Sequence, residues 1–318
     1  MFYDGFEKTK GDDNKLKDLK ENRELLVYRS LNARSVLDEE ALICLRQLEK
    51  GFQGEKYFEQ WLKENGGDGI VLSDLLFEIS GSFVQIDSLF IKHDKTYVFN
   101  VKNSEGDYFA EGERWSTPSK KEMKNPLLQL KRSEALLTRL LQDKSIKFPL
   151  KPFVVFVNPN FHLYNAPMDQ PIIYYPQLNR FAEKLNQKRG RLTAFHDMLA
   201  KKLLDSHVEE YPFLKLPGYG FEGLEKGIIC PKCIFLYTLF NNRNFICSNC
   251  KTTEPLLPAV LRAIGEFRLL FPEKRITTDQ IHEWCKLVLS KKTIRKILFA
   301  HFKHIGRGRS SHFVDKKE

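Results

Sequence analysis

No stretch of the 318 residues approaches the roughly 20 consecutive apolar positions that a membrane-spanning helix needs. The opening Met1-Phe-Tyr-Asp-Gly5 holds no apolar signal region, so a cytoplasmic protein without membrane contact is expected. No Walker-type phosphate loop and no dinucleotide fingerprint occurs, which leaves nucleotide-driven motor action unsupported. There is no internal repeat. Between Trp284 and Val314 acidic residues are missing altogether, and that absence proves informative.

What is present points to a packed, basic protein. Hydrophobic residues make up 42% of the chain, including 25 Phe, so global disorder is excluded and two or three domains are expected. The net charge of +10 favours a polyanionic partner over an acidic substrate, although charge alone is weak evidence. Its placement says more. Residues 258–318 carry 14 Lys/Arg against 6 Asp/Glu, leaving the rest of the chain nearly neutral.

Residues 1–24 are more than half charged and read as a solvated leader. A first domain is expected over 25–210. Leu37, Ala41, Leu42, Leu45 and Leu48 recur at helical steps, and Gly51-Phe-Gln-Gly-Glu55 is expected to interrupt the helix before Phe58, Trp61 and Leu62 resume it. Runs over Ile70–Ile79, Phe83–Ile91 and Thr96–Lys102, separated by turn residues, predict an antiparallel meander. Asn125-Pro126 opens another helix, and Phe153–Val157 and Ile172–Tyr175 are further strands. Helical residues 178–206 and a Pro/Gly-rich linker, Tyr211–Gly223, follow. The fold class is α/β (α+β).

Six cysteines could signal disulfides, but four of them are spaced for metal. Cys230-Pro-Lys-Cys233 and Cys247-Ser-Asn-Cys250 form two knuckles that can close a tetrahedral zinc site, giving a zinc ribbon over 224–255. Four thiolates leave no position for water, so such a zinc is structural. The alternative is two unrelated cysteine pairs. Cys44 and Cys285 lie on apolar helical stretches and read as core thiols.

Residues 256–318 read as three helices and a Gly-rich basic hairpin, the order of a winged helix-turn-helix. The helices run Leu256–Phe271, from Thr277 or Thr278 to about Leu287, and from a Ser290 cap to about His304. Candidate DNA contacts are Lys291, Lys292, Arg295, Lys296, Lys303, Arg307 and Arg309. The alternative is a solvated face on a protein-binding bundle. The missing acids favour DNA, because carboxylates would repel the phosphates.

In the first domain, Gln85-Ile-Asp87 and Asn100-Val-Lys102 each put two polar side chains on one strand face. Strand pairing through His93–Lys95 would converge all four, with Glu55 in reach from the preceding helix. A carboxylate to hold Mg²⁺ beside a lysine to offset charge is the minimum for metal-assisted phosphodiester hydrolysis.

Gly51-x-x-Gly54-Glu55, Gln85-Ile-Asp87, Val101-Lys102-Asn103 and Asn125-Pro-Leu-x-Gln129, in this order and spacing, resemble the nuclease-related domain (NERD) family, a branch of the restriction-endonuclease-like PD-(D/E)XK fold. The resemblance spans about residues 45–160. It implies an αβββαβ core and a Mg²⁺- or Mn²⁺-dependent endonuclease site, with Glu55 and Asp87 as metal-side acids, Lys102 as catalytic lysine and Gln129 lining the site. One departure stands out: the family's Glu-x-Lys acid is replaced by Asn100. An amide oxygen can ligate Mg²⁺ but brings no charge. Three readings stay open: Glu78 or Glu105 supplies a displaced carboxylate, the fold only grips DNA, or Asn100 silences a nuclease. Of the other polar residues, His196 reads as a partly exposed helix histidine, and Trp115 either stacks a base or packs under a loop.

Two functions are therefore carried forward. One is a DNA-binding, metal-dependent endonuclease-like protein of DNA processing or defence against foreign DNA. The other is a non-catalytic DNA-binding regulator with a nuclease-like scaffold. A homodimer is compatible with either.

Overall fold

The computed structural model describes residues 17–188, 190–214, 216–241, 243–286 and 289–316. The leader up to 16 and the expected helix end at Leu287 fall outside them. The chain forms two compact units, one built on Arg46–Leu214, the other on Asn22–Leu45 with the residues from 216 onward.

Two helices come first, α1 (Arg23–Arg34) and α2 (Glu39–Asn65). Asn22 caps α1 through its side chain, and the amide of Ala41 donates to Asp38 at 2.8 Å near the start of α2. The interruption expected at Gly51–Glu55 does not occur, and α2 runs through both glycines. Gly54 serves a contact instead, since a Cβ there would lie 2.6 Å from that of Asn103.

Three strands follow at nearly the expected bounds, β1 (Ile70–Ile79), β2 (Ser82–Ile91) and β3 (Thr96–Lys102). Ser80 and Gly81, both with positive φ, make the first reversal. The chain then builds β4 (Gly106–Glu111), β5 (Arg114–Ser116) and β6 (Glu122–Met123), three strands that local patterning did not reveal. Helix α3 (Pro126–Asp143) is capped by Asn125 with Pro in its first turn. After it come β7 (Leu150–Phe156), β8 (Phe161–Tyr164), β9 (Ile172–Tyr174), α4 (Leu178–Gln187) and α5 (Ala194–Leu204).

The central sheet has the order β1-β2-β3-β7-β9, antiparallel from β1 to β3 and parallel from β3 to β9. Leu137, Leu140, Leu199 and Leu203 from α3 and α5 cover one face; Phe58, Trp61, Leu178 and Leu185 from α2 and α4 cover the other. This three-layer sandwich contains the αβββαβ order α2-β1-β2-β3-α3-β7. A second sheet, β6-β5-β4-β8, buries Trp115 at 1% exposure, its ring 6.2 Å from that of Phe156. Trp115 therefore packs and does not stack a base. His196 is buried rather than partly exposed: Nδ1 accepts from the Thr193 amide at 3.0 Å.

In the other unit, α1 shares one core with the cysteine region and the C-terminal helices, through Val27 and Leu31. The chain there forms β10 (Leu239–Phe240), β11 (Asn244–Ile246) and β12 (Thr253–Pro255), then α6 (Leu256–Leu270), α7 (Thr278–Trp284), α8 (Lys291–His301), β13 (Phe302–Ile305) and β14 (His312–Asp315). The side chains of Thr277 and Ser290 cap α7 and α8 as expected. Helix α8 ends before His304, however. Lys303 and His304 belong to β13, which pairs with β14 across Gly306 at φ +77°. Arg34 lies on α1, with the C-terminal unit, and not in the domain expected over 25–210. Its guanidinium donates to Glu266 through two bonds of 2.9 and 2.7 Å and lies 3.7 Å over the Trp284 ring.

Candidate functional site

In the larger unit, charged side chains from four elements act on one another: Glu55 of α2, Asp74 of β1, Asp87 of β2 and Lys102 of β3. Their meeting follows from how the strands end. The β2–β3 ladder closes at Ser88 opposite Phe99, while β3 continues to Lys102 paired with β7. Where the ladder stops, the Asp87 carboxylate replaces it, Oδ2 accepting from the Val101 amide at 2.7 Å. Asn100 and Lys102 share the face opposite Val101. Asn100 is 5% exposed, and its Oδ1 has no hydrogen-bond partner.

Glu55 is brought in by its neighbour. The missing Cβ of Gly54 lets Asn103 lie against α2, and the Asn103 amide donates to the Lys50 carbonyl at 2.8 Å. The end of β3 is thereby held one residue from Glu55. Two of the motifs read from sequence, Gly51–Glu55 and Val101–Asn103, are thus halves of one contact.

The electrostatics are unbalanced. Burial, then Asp87 and Asp74, push the Glu55 carboxyl up to about 8, against the pull of Lys102. Burial also raises Asp87, outweighing Lys102 and the Val101 amide. Three carboxyl groups with one facing lysine, beside an unsatisfied amide oxygen, fit a divalent cation: hard oxygen donors and excess negative charge. Their carboxylate oxygens stand further apart than those of a closed site. Among the described residues only the cysteines place three or more such ligand atoms within 4.8 Å of one another.

Other expectations fare differently. Gln85 is exposed and turns to β1, its Nε2 donating to Asp74 Oδ1 at 2.8 Å. Gln129 is exposed on the first turn of α3, and none of these hydrogen bonds reaches it. Glu78 is exposed and Glu105 pairs with Lys50 at 3.0 Å; neither is among the charges acting on Glu55 or Asp87. Asp74 carries no mark in the sequence, because one acid within an otherwise strand-like run reads as an outward-facing position.

Residues 50–157 match the nuclease-related domain family. This segment is similar to a nuclease-related domain. The match covers about a third of the chain, from α2 through β7, and holds Glu55, Asp74, Asp87, Asn100 and Lys102. Among solved structures, protein VC1899 from Vibrio cholerae is similar at 11% identity over 48% of this chain and 36% of its own, with a TM-score of 0.25. The chain thus spans about a third of that protein's length. No curated protein matches the chain.

Outside the matched segment lie two further candidate sites. Cys230, Cys233, Cys247 and Cys250 bring their sulfurs within 4.8 Å of one another. Ile234 and Lys251, just after the knuckles, take positive φ to turn the chain. Hydrogen bonds from Thr252 hold the Cys250 thiol down to about 6, whereas burial pushes Cys230 up to about 11. Four convergent sulfurs can bind a structural metal such as zinc. Glu254 locks this region to α6, accepting from Arg262 at 3.1 and 2.7 Å and from the Tyr237 hydroxyl at 3.0 Å. Cys285 is buried, which pushes its thiol up to about 12; Cys44 is half-buried.

The third site is the outer face of α8. Ile294, Ile297 and Leu298 are buried, while Lys292, Arg295, Lys296 and Phe299 are exposed. Arg295 lies 5.4 Å over the Phe299 ring, which itself packs 5.0 Å from His304. Lys303 and Arg307 are exposed on the hairpin; Lys291 is tied to Asp279 at 2.6 Å. The Arg309 side chain lies outside the described residues. No helix among the described residues is long and apolar enough to cross a membrane.

Proposed function

We propose that this is a DNA-binding protein whose nuclease-related domain hydrolyses phosphodiester bonds with Mg²⁺ or Mn²⁺. The observation that carries the reading is the convergence of Glu55, Asp87 and Lys102 beside the unsatisfied Oδ1 of buried Asn100. A bound cation would polarise the phosphate and supply a more acidic water. Glu55 and Asp87 would hold it, with Asn100 as a neutral oxygen ligand. Lys102 offsets the charge that grows on the phosphate oxygens. The Val101 amide keeps Asp87 oriented so that its other oxygen stays free.

Affinity for DNA comes, on this reading, from α8 and the β13–β14 hairpin, arranged as the recognition helix and wing of a winged helix-turn-helix. A zinc ion in the cysteine quartet would maintain the core that α6 and α8 share. The chain then acts in the cytoplasm, in DNA processing or in defence against foreign DNA.

Plasmid incubated with the protein and Mn²⁺, beside Asp87→Ala and Asn100→Glu versions, tests the proposal. Cleavage lost in Asp87→Ala supports an enzyme. A second reading has one observation in its favour, the amide at position 100: cleavage seen only after Asn100→Glu marks a silenced site. Salt-sensitive DNA binding without cleavage in any version leaves a regulator with a nuclease-like scaffold.

A further inference from the structure

The backbone of β1 changes conformation at one residue. Asp74 has φ +51°, the left-handed region that side chains other than Gly, Asn and Asp seldom enter. The consequence is visible in the core: Leu72 and Leu75, three apart, bury into the same cluster, where strict alternation would put them on opposite faces. The partner strand does likewise, Ile86 and Leu89 joining that cluster together. Ser73 pairs with Ser88 and Leu75 with Ile86, so the position between them sets Asp74 opposite Asp87. Continuing the last β2–β3 pair, Ser88 with Phe99, sets Asp87 opposite Asn100. Asp74, Asp87 and Asn100 therefore form one row across three strands, at a kink that both β1 and β2 share.

We infer that Asp74 supplies to the metal site the negative charge that the Glu-x-Lys pattern would place at position 100. This rests on the proposed cation site and names a member of it. Two independent observations support it. The first is position: a left-handed residue in mid-strand, its carboxylate Oδ1 held by Gln85 Nε2 at 2.8 Å and its carbonyl held by the Lys17 ammonium. The second is Asn100, whose Oδ1 is buried, unpartnered and on the Lys102 side of β3. An oxygen left without a donor in so enclosed a place is suited to a cation. Gln85 becomes a positioning residue for Asp74.

Binding of Mn²⁺, measured by calorimetry on the full chain with its thiol site already loaded with zinc, tests this apart from cleavage. Asp74→Asn is the informative variant. Asn tolerates positive φ and still accepts from Gln85, so only the charge is removed. Affinity is expected to fall at least tenfold in Asp74→Asn and to recover when Asn100→Glu is added, the charge being restored in the same row two strands away. Equal affinity of the original and Asp74→Asn proteins overturns the inference and leaves the metal site standing. So does failure of Asn100→Glu to rescue a variant whose melting temperature is unchanged. Absence of Mn²⁺ binding by the unmodified protein overturns both the site and the inference.

Discussion

Gly54 and Asn103 touch where no other residue at 54 would fit: a Cβ added to the glycine would stand 2.6 Å from the Asn103 Cβ and 3.3 Å from Val157 Cγ2. Gly51, one turn earlier, has nothing within 4 Å of its virtual Cβ. The two glycines of one motif thus predict opposite outcomes. Gly51→Ala should stabilise the protein by about 0.5–1 kcal/mol, the helix-propensity gain. In Gly54→Ala the same gain is outweighed by overpacking of about 1–3 kcal/mol. Urea unfolding of both variants decides it; stabilisation by Gly54→Ala would show that Asn103 yields freely.

Glu55 ties the site to pH. Its folded value of about 8 lies above its ordinary 4.5, so the folded state binds the proton more tightly than the unfolded chain. That contribution to stability is fully present below about 4.5 and is lost as pH rises through 8. Glu55→Gln, neutral at every pH, should raise the melting temperature at pH 8 by a few degrees (about 2–4 °C per kcal/mol for a domain of this size) and change it little at pH 5. Melting curves without added Mg²⁺ or Mn²⁺ check this. An identical shift at both pH values contradicts the origin assigned to the proton.

The cysteine quartet belongs to a core, since Cys230 and Cys247 are wholly buried beside Phe245, Val260 and Phe267. The purified protein should contain one zinc per chain by atomic absorption. Cys247→Ser should lose the ion and with it the fixed packing of Trp284 in the same core, visible as a red-shifted fluorescence. Retention of both would make the sulfurs bystanders.

Arg34 and Glu266 are buried together, at 0% and 5% side-chain exposure, and Arg34 also donates to the carbonyls of Glu225 and Gly227. Removing one partner strands the other charge. Arg34→Met or Glu266→Gln should each cost about 3–5 kcal/mol in urea unfolding. The double variant is expected to lose less than the sum of the two.

The exposed cations of α8 make a salt-dependent prediction. Replacing Lys292, Arg295 and Lys296 with Ala should lower the slope of log K against log salt by ~0.9 for each lost phosphate contact. Lys291→Ala should do less, because its ammonium already faces Asp279. Filter binding or fluorescence anisotropy across a salt series measures both. Truncation is a poorer test, since α6 and α8 complete the core that also holds α1 and the cysteines.

Much of this protein was legible from spacing alone. The bounds of β1, β2 and β3, the caps of α3, α7 and α8 and the cysteine quartet all arise from neighbours within a few residues, where alternation, caps and knuckles leave local marks. Motif order suggested Glu55, Asp87 and Lys102, and these three charges do act on one another. Only the tertiary structure decided why Gly54 is a glycine, that α1 packs with the C-terminal unit through a bond between residues 232 apart, and that Asp74 rather than Glu78 or Glu105 faces Asp87. Those outcomes depend on which distant backbones approach and on one left-handed residue that reverses a strand's alternation. No pattern along the chain encodes either, because local periodicity is blind to the partner on the far side of a contact.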